Sequence, residues 1–255
     1  MARPSAPIRQ ELLDLLGRSR RWLVLTGAGC STEAGIPDYR DADGAWKRRQ
    51  PVQYREFMDD ELARKRYWAR SMVGWSAFGR ARPGATHRHL AALESSGHVH
   101  HLITQNVDGL HQASGVPDEQ VIELHGNATY ASCLECGARY ELAPIREAFL
   151  EDETLPLCER CGGIVKTATI SFGQAMPVDE MERAGAETAQ CDLFIAIGSS
   201  LVVYPAAGFP ALAKRAGAAL VILNRDPTDL DPLADLVLNA EIGPTLSAVI
   251  GEALH

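Results

Sequence analysis

Short apolar runs alternate along the chain with longer stretches in which apolar residues recur at helical spacing. Trp22-Leu-Val-Leu-Thr26 reads as a buried strand that ends in glycines. Val99–Thr104, 121–124, 192–197, Ala219–Leu223 and 235–238 read the same way, each short, apolar or β-branched, and bounded by polar residues or glycine. Between them, Ile8, Leu12, Leu15 and Leu16 share one helical face. Thr86 is placed to cap a helix that runs to Ser95, with Gly97 as its stop, and 180–189 and 205–216 give two more helices. Strands alternating with helices predict an α/β fold with a doubly wound parallel sheet. Two stretches break the alternation. Residues 46–81 are rich in arginine and aromatics and look helical, and 133–161 is charged with few core-like runs. Both are expected to form a second, smaller lobe.

Composition narrows the class. The 255 residues are 46% hydrophobic and 23% charged, which suits a globular protein with a large core. The net charge of −8 argues against a broad nucleic-acid-binding face. No apolar run reaches the roughly 18 residues of a membrane helix. The N-terminus lacks the apolar core of a secretory signal, and its Glu11 and Asp14 do not suit a transit peptide. A cytoplasmic, reducing compartment is expected, so the six cysteines need an explanation other than disulfides.

Four of them form two pairs, Cys133-Leu-Glu-Cys136 and Cys158-Glu-Arg-Cys161. Two CxxC knuckles at this separation match a tetrahedral four-thiolate zinc site, and four protein ligands leave no open position for catalysis. The loop after the first strand, Thr26-Gly27-Ala28-Gly29-Cys30-Ser31, carries glycines that let backbone N–H groups approach phosphate. It departs from the dinucleotide fingerprint, because Thr32 takes the third glycine position and no acid follows a second strand. A tight strand-to-helix turn would explain the glycines equally well. The second strand runs into Gln105-Asn106-Val107-Asp108, whose polar side chains suit an amide and a ribose, or a helix cap. The third ends at His125-Gly126, where an imidazole would serve as a general base. His87, His89, His98, His100 and His101 are expected on solvated faces or strand edges.

These elements, in this order, resemble the sirtuins, the Sir2 family of NAD-dependent protein deacylases. The resemblance rests on the run from Gly27 to Arg40, on Thr104-Gln105-Asn106-Val107-Asp108, on His125-Gly126 and on the paired CxxC motifs. It continues through Phe172-Gly173-Gln174-Ala175-Met176-Pro177, Gly198-Ser199-Ser200-Leu201-Val202-Val203-Tyr204-Pro205 and Asn224. Asp41 to Trp46 and Arg66-Tyr67-Trp68-Ala69-Arg70 look like the class II branch.

The resemblance implies a Rossmann-like NAD-binding domain at 1–45, 82–128 and 166–255. A smaller inserted domain would combine a helical part at 46–81 with a zinc-ribbon module at 129–165. NAD would lie between them, with Gly27, Ala28, Gly29 and Ser31 at the diphosphate and Gly35, Ile36, Pro37, Asp38, Tyr39 and Arg40 closing over the nicotinamide ribose. Gln105 would contact that ribose, and Asn106, Val107 and Asp108 would hold the nicotinamide, Asn106 taking part in catalysis. Gly198, Ser199, Ser200, Asn224, Arg225 and Ile242 would line the phosphate and adenosine side. An acyl-lysine protein or peptide would pair between Phe172–Gly173 and Val202, Val203 and Tyr204, with Ile170 beside it. The resemblance further implies that the acyl oxygen would attack the ribose carbon as nicotinamide leaves, that His125 would deprotonate a ribose hydroxyl, and that free lysine, nicotinamide and O-acyl-ADP-ribose would result.

Departures bear on specificity. Cys30, Ser199 and Gln174 replace the usual aliphatic residue, threonine and glutamate, and 166–171 lacks the usual proline. Tyr67 and Arg70, three apart on a helix, are candidates for an acyl carboxylate, as a Tyr-x-x-Arg pair is in the desuccinylating branch, or for packing. The alternatives are a mono-ADP-ribosyltransferase on the same scaffold and a non-catalytic NAD- or nucleic-acid-binding regulator. The first shares the release of nicotinamide. The second is opposed by His125 and by the acidic charge.

Overall fold

The computed structural model describes residues 6–38 and 50–253, without the side chains of 74–78 and 250–253. In chain order the strands are β1 Trp22–Thr26, β2 Val99–Thr104, β3 Val121–Glu123, β4 Gly126–Cys133, β5 Arg139–Glu141, β6 Val165–Thr169, β7 Leu193–Ile197, β8 Ala219–Leu223 and β9 Leu236–Leu238. The α-helices are α1 Ala6–Arg18, α2 Tyr54–Asp59, α3 Glu61–Phe78, α4 Ala85–Ser95, α5 Leu110–Ala113, α6 Leu142–Asp152, α7 Val178–Gln190, α8 Phe209–Arg215 and α9 Ile242–Ala253. Six strands form one parallel sheet in the order β3-β2-β1-β7-β8-β9. That order winds outward from β1 in both directions, as in a doubly wound nucleotide-binding sheet.

The sheet holds because both faces are apolar. Trp22 and Val24 point to one side, where Leu12, Leu15 and Leu16 of α1, Leu90 and Leu93 of α4 and Leu246 and Val249 of α9 cover them. Leu23 and Leu25 point to the other, with Phe194, Ile222, Ala184 of α7 and Ala213 of α8. The period of two along a strand thus serves two cores at once.

The remaining strands pair antiparallel as β5-β4-β6. They pack with α3 and α6 around a separate core of Trp68, Met72, Ala131, Leu142, Phe149 and Val165. Helices and thiolate module therefore share one interior. The small sheet spans Gly126 to Thr169, wider than the expected 129–165, because β4 begins directly after His125 and β6 pairs with it.

Three local expectations are corrected. Gly84, not Thr86, precedes α4, and Thr86 sits in the first turn, where its N–H and hydroxyl both donate to Glu33 Oε2 at 3.2 Å. The stretch 205–216 begins as a short 3-10 turn, Ala206–Gly208, before α8 starts. His87 is fully buried rather than on a solvated face or strand edge, because α4 turns it toward the carboxyl ends of β1 and β2.

Candidate active site

The order of the sheet reverses between β1 and β7, and the crevice outside their carboxyl ends is where such sheets bind ligands. The loop after β1 and the loop after β7 meet there. The glycines serve this meeting directly. A Cβ on Gly27 would lie 2.6 Å from the Gly198 carbonyl oxygen, and one on Gly29 would lie 2.8 Å from Gly198 Cα. Gly198 itself has φ of 65°, a conformation that disfavours a side chain. Close backbone packing therefore explains these glycines as well as phosphate approach does. Ala28–Ala34 coils as a 3-10 helix. Gly35 closes it with φ of 83°, and Ile36 is buried just beyond. Tyr39 and Arg40 lie outside the described residues, as do Asp41 to Trp46.

Buried polar groups converge beneath this loop. Asn106 Nδ2 donates to the Gly27 carbonyl at 3.0 Å and to Ser31 Oγ at 3.1 Å. Ser31 donates to Asp108 Oδ2 at 2.6 Å, and the Leu110 N–H donates to Asp108 Oδ1 at 3.0 Å. The Gly84 N–H occupies His87 Nδ1 at 3.2 Å, so the proton of His87 sits on Nε2, 3.4 Å from Ser31 Oγ. His111 Nε2 lies 2.9 Å from Thr26 Oγ1, whose own proton goes to Thr104 Oγ1 at 2.8 Å. The Thr26 oxygen thus accepts from His111, while buried His111 Nδ1 has no partner. Burial lowers the pKa of both histidines, that of His111 to about 3, so both stay neutral. The Val107 carbonyl accepts the Ala128 N–H at 2.7 Å, which ties this pocket to β4.

His125 follows β3 at the same end. Its Nδ1 faces the Gln105 carbonyl at 2.9 Å. A carbonyl only accepts, so Nδ1 carries the proton and Nε2 presents a bare lone pair. Burial holds its pKa below the ordinary histidine value, outweighing the Gln105 contact, and the free base persists at neutral pH. Gly126 is required beside it: φ is 69°, and a Cβ there would lie 2.0 Å from the Ala168 carbonyl oxygen.

Gln105 Nε2 reaches across the switch point to Ser199 Oγ at 2.8 Å. Ser199 and Ser200 lead into Leu201, a buried residue with φ of 55°. Ile242 packs against Gly198, and Asn224 donates to the Asp226 carbonyl at 2.7 Å. Arg225 lies 3.8 Å from Asp38 and 3.2 Å from Asp226. Phe172, Val202 and Tyr204 are exposed apolar side chains on the loops after β6 and β7, and Ile170 is tied to the turn after β3 by its N–H on the His125 carbonyl at 2.8 Å. Gly173 takes φ of 82°, and Val203 accepts the Ala207 N–H. Tyr67 and Arg70 part company: the Tyr67 hydroxyl bonds those of Thr167 and Thr169, whereas Arg70 Nη1 donates to the Gln50 carbonyl at 2.8 Å.

The sulfurs of Cys133, Cys136, Cys158 and Cys161 lie within 4.8 Å of one another, with two pairs at 3.5 Å. Zinc–sulfur bonds of about 2.3 Å require sulfur–sulfur edges of about 3.8 Å, so the cluster fits tetrahedral zinc. The Tyr140 hydroxyl donates to Cys158 Sγ at 3.1 Å and accepts the Glu159 N–H at 3.0 Å, an outer contact that orients the ligand. All four ligands sit in the small lobe, apart from the residues around His125.

Sequence reasoning missed Thr26, His87, His111 and Lys166, which only their burial distinguishes, and burial is set by partners far along the chain.

A parallel sheet of this order, with two interlocked glycine loops at its switch point and a four-thiolate module beside it, defines a nucleotide-binding α/β protein with a structural metal site. The Sir2 family profile matches residues 27–205. The chain belongs to the Sir2 family. It is 51% identical over 242 residues to an NAD-dependent protein deacetylase of Rhodopseudomonas palustris, covering 95% of this chain and 96% of that protein. Among solved structures, a Sir2 complex with a p53 peptide and NAD+ superposes with a TM-score of 0.85 at 36% identity, covering 95% and 97% of the two chains. A Sir2 variant with deacetylated p53 peptide and 3'-O-acetyl ADP ribose gives 0.84 at 34% identity, covering 96% and 98%.

Proposed function

We propose that this chain is an NAD-dependent protein lysine deacetylase of the class II branch. One observation carries the chemistry: an imidazole whose proton is committed to the Gln105 carbonyl leaves His125 Nε2 as a base beside the pocket of Asn106 and Asp108. The deacetylases related to this chain support the reaction, and Arg66 to Arg70 on α3 support the branch.

When bound, NAD+ supplies an activated ribose carbon that accepts the acyl oxygen as nicotinamide leaves. The chain's own residues do the rest. Asn106 and Asp108, fixed by Gly27, Ser31 and the Leu110 N–H, hold the nicotinamide amide in one orientation. The loops around Gly27, Gly29, Gly198 and Ser199 take the phosphates, and Asn224, Arg225 and Ile242 take the adenosine side. Gln105 touches the ribose, His125 receives its hydroxyl proton, and Phe172, Gly173, Val202, Val203 and Tyr204 flank the peptide. Zinc holds the small lobe together and leaves the reaction to His125. We assign 1–45, 82–125 and 170–255 to the NAD-binding domain, and 46–81 and 126–169, which holds the whole of β4 and β6, to the inserted one. Among the described residues no helix is long and apolar enough to cross a membrane.

The test is nicotinamide release from NAD+ in the presence of acyl-lysine peptides, with mass spectrometry of both products. Release that depends on the acyl peptide and is matched by O-acyl-ADP-ribose is the expected outcome. ADP-ribose transferred to protein, with the acyl group retained, would overturn it in favour of a transferase.

A further inference from the structure

Two amides meet one carboxylate beside His125. Glu123, the last residue of β3, is half-buried. Its Oε1 accepts Asn127 Nδ2 at 2.8 Å and Gln112 Nε2 at 2.9 Å. The Asn127 amide has only one orientation open to it, because its Oδ1 accepts the Thr129 N–H at 2.8 Å and the Thr129 hydroxyl at 2.6 Å. Withdrawing a carboxyl from water costs free energy unless donors face it. Burial raises the Glu123 pKa, and the two amide contacts oppose that rise.

The place of this cluster matters. Glu123 and Asn127 stand two residues to either side of His125, so their bond closes a bracket around it. Inside the bracket Gly126 takes φ of 69°, and a glycine leaves the backbone freer than any other residue. The ring is held through Nδ1 by the Gln105 carbonyl, while Nε2 has to reach the substrate unaided. Gln112 stands on α5, just past the pocket of Asn106 and Asp108, and Asn127 belongs to β4 of the small lobe. A Cβ on Gly109 would lie 3.7 Å from Asn127 Nδ2, so this amide packs against the turn after Asp108. One carboxylate therefore ties together the nicotinamide side of the site, the end of β3 and the root of the small lobe.

We propose that Glu123, acting through Asn127 and Gln112, is a positioning residue for His125: it braces the glycine-containing turn so that Nε2 is held in line with the ribose hydroxyl. The inference rests on the deacylase reading and adds no covalent step to it.

The reaction offers a readout that a merely structural role would not move. Release of nicotinamide uses Asn106 and Asp108, whereas His125 is needed only afterwards, for the hydroxyl proton. Exchange of labelled nicotinamide into NAD+ in the presence of acetyl peptide reports the first step alone, and deacetylation reports both. The experiment measures both rates and the peptide KM, with thermal melting and zinc content as checks. It uses the native protein, Asn127→Asp, the double variant Glu123→Gln/Asn127→Asp, and Gln112→Met. Asn127→Asp keeps the acceptor for Thr129 but sets a second carboxylate against Glu123. In the double variant the amide at 123 donates to the carboxylate at 127 and still accepts from Gln112, so the bracket reforms with its polarity reversed. Asn127→Asp should lower kcat for deacetylation at least about tenfold, within the roughly hundredfold cost of misplacing a reacting group by 1 Å, while exchange and peptide KM change by less than about threefold. The double variant should recover most of that loss. Gln112→Met, which removes one donor, should lower deacetylation severalfold with exchange again spared, and decides the matter if Asn127→Asp does not fold. Equal falls in exchange and deacetylation, undiminished deacetylation, or a double variant no better than Asn127→Asp would overturn the positioning role and leave the deacylase intact. Neither exchange nor deacetylation by the native protein would overturn both.

Discussion

The two lobes solve the same problem by different means. The parallel sheet buries both faces, with Leu23 and Leu25 serving one core and Trp22 and Val24 the other, so its stability is spread over dozens of apolar side chains. The small lobe has a three-stranded sheet and a short apolar cluster around Trp68 and Phe149, and two of its buried members are cysteines. A core that small is marginal by itself, and a bound metal contributes what apolar area does not. The active-site candidates lie where the lobes meet, since β4 begins directly after His125. Loss of the small lobe should therefore disable chemistry performed by residues of the large one.

The strongest test of that contrast is metal removal. Structural zinc is worth roughly 10–16 kcal/mol of apparent free energy in small modules. Chelation, or Cys158→Ser, should unfold the β5-β4-β6 lobe while the parallel sheet remains. Hydrogen exchange would show protection lost around Ala131 and Val165 and kept in Val24 and Ile195. Uniform loss of protection would show that the lobes do not separate. Phe194→Ala reverses the experiment, since this side chain is fully buried in the large sheet. A loss of about 3–5 kcal/mol in global stability is expected, read by denaturant melting with zinc still bound.

His125→Ala should leave melting nearly unchanged and lower turnover by about 10²–10⁴-fold. In the native protein the acidic limb of kcat/KM should fall below the ordinary histidine value of 6.5, because the imidazole's pKa is lowered. The smallest effect concerns pH and stability. His111 titrates near 6.5 in the unfolded chain and about 3 in the folded one. The unfolded chain therefore binds the extra proton, and stability that is complete above about pH 6.5 is lost as pH falls toward 3. The slope is about 1.4 kcal/mol per pH unit for each such histidine. His111→Gln should flatten the dependence of the urea midpoint between pH 7.5 and 5.5, and an unchanged slope would refute this role.

Much of the fold was legible in the sequence because its signals are local. Apolar pentapeptides ended by polar residues or glycine marked the strands of the parallel sheet, and cysteine spacing marked the thiolate cluster. His125 was legible as a residue at a strand's carboxyl end. The protonation pattern that makes it a base was not, since it depends on a carbonyl 20 residues away. Thr86 carries the side chain of a helix cap, yet Glu33 claims its hydroxyl from 53 residues away. His87 on α4 and Lys166 on β6 carry ordinary polar side chains, and only packing places them in the interior.

The sequence by itself determined the strands of the parallel sheet, the thiolate ligands, the glycine loops and the family to which the chain belongs, because residue type and spacing along the chain suffice for each. The tertiary structure decided which nitrogen of His125 is free, which histidines lose their charge, and that a lysine rather than Arg70 faces Tyr67. Those properties depend on desolvation and on partners brought together from distant segments, and spacing along the chain contains neither.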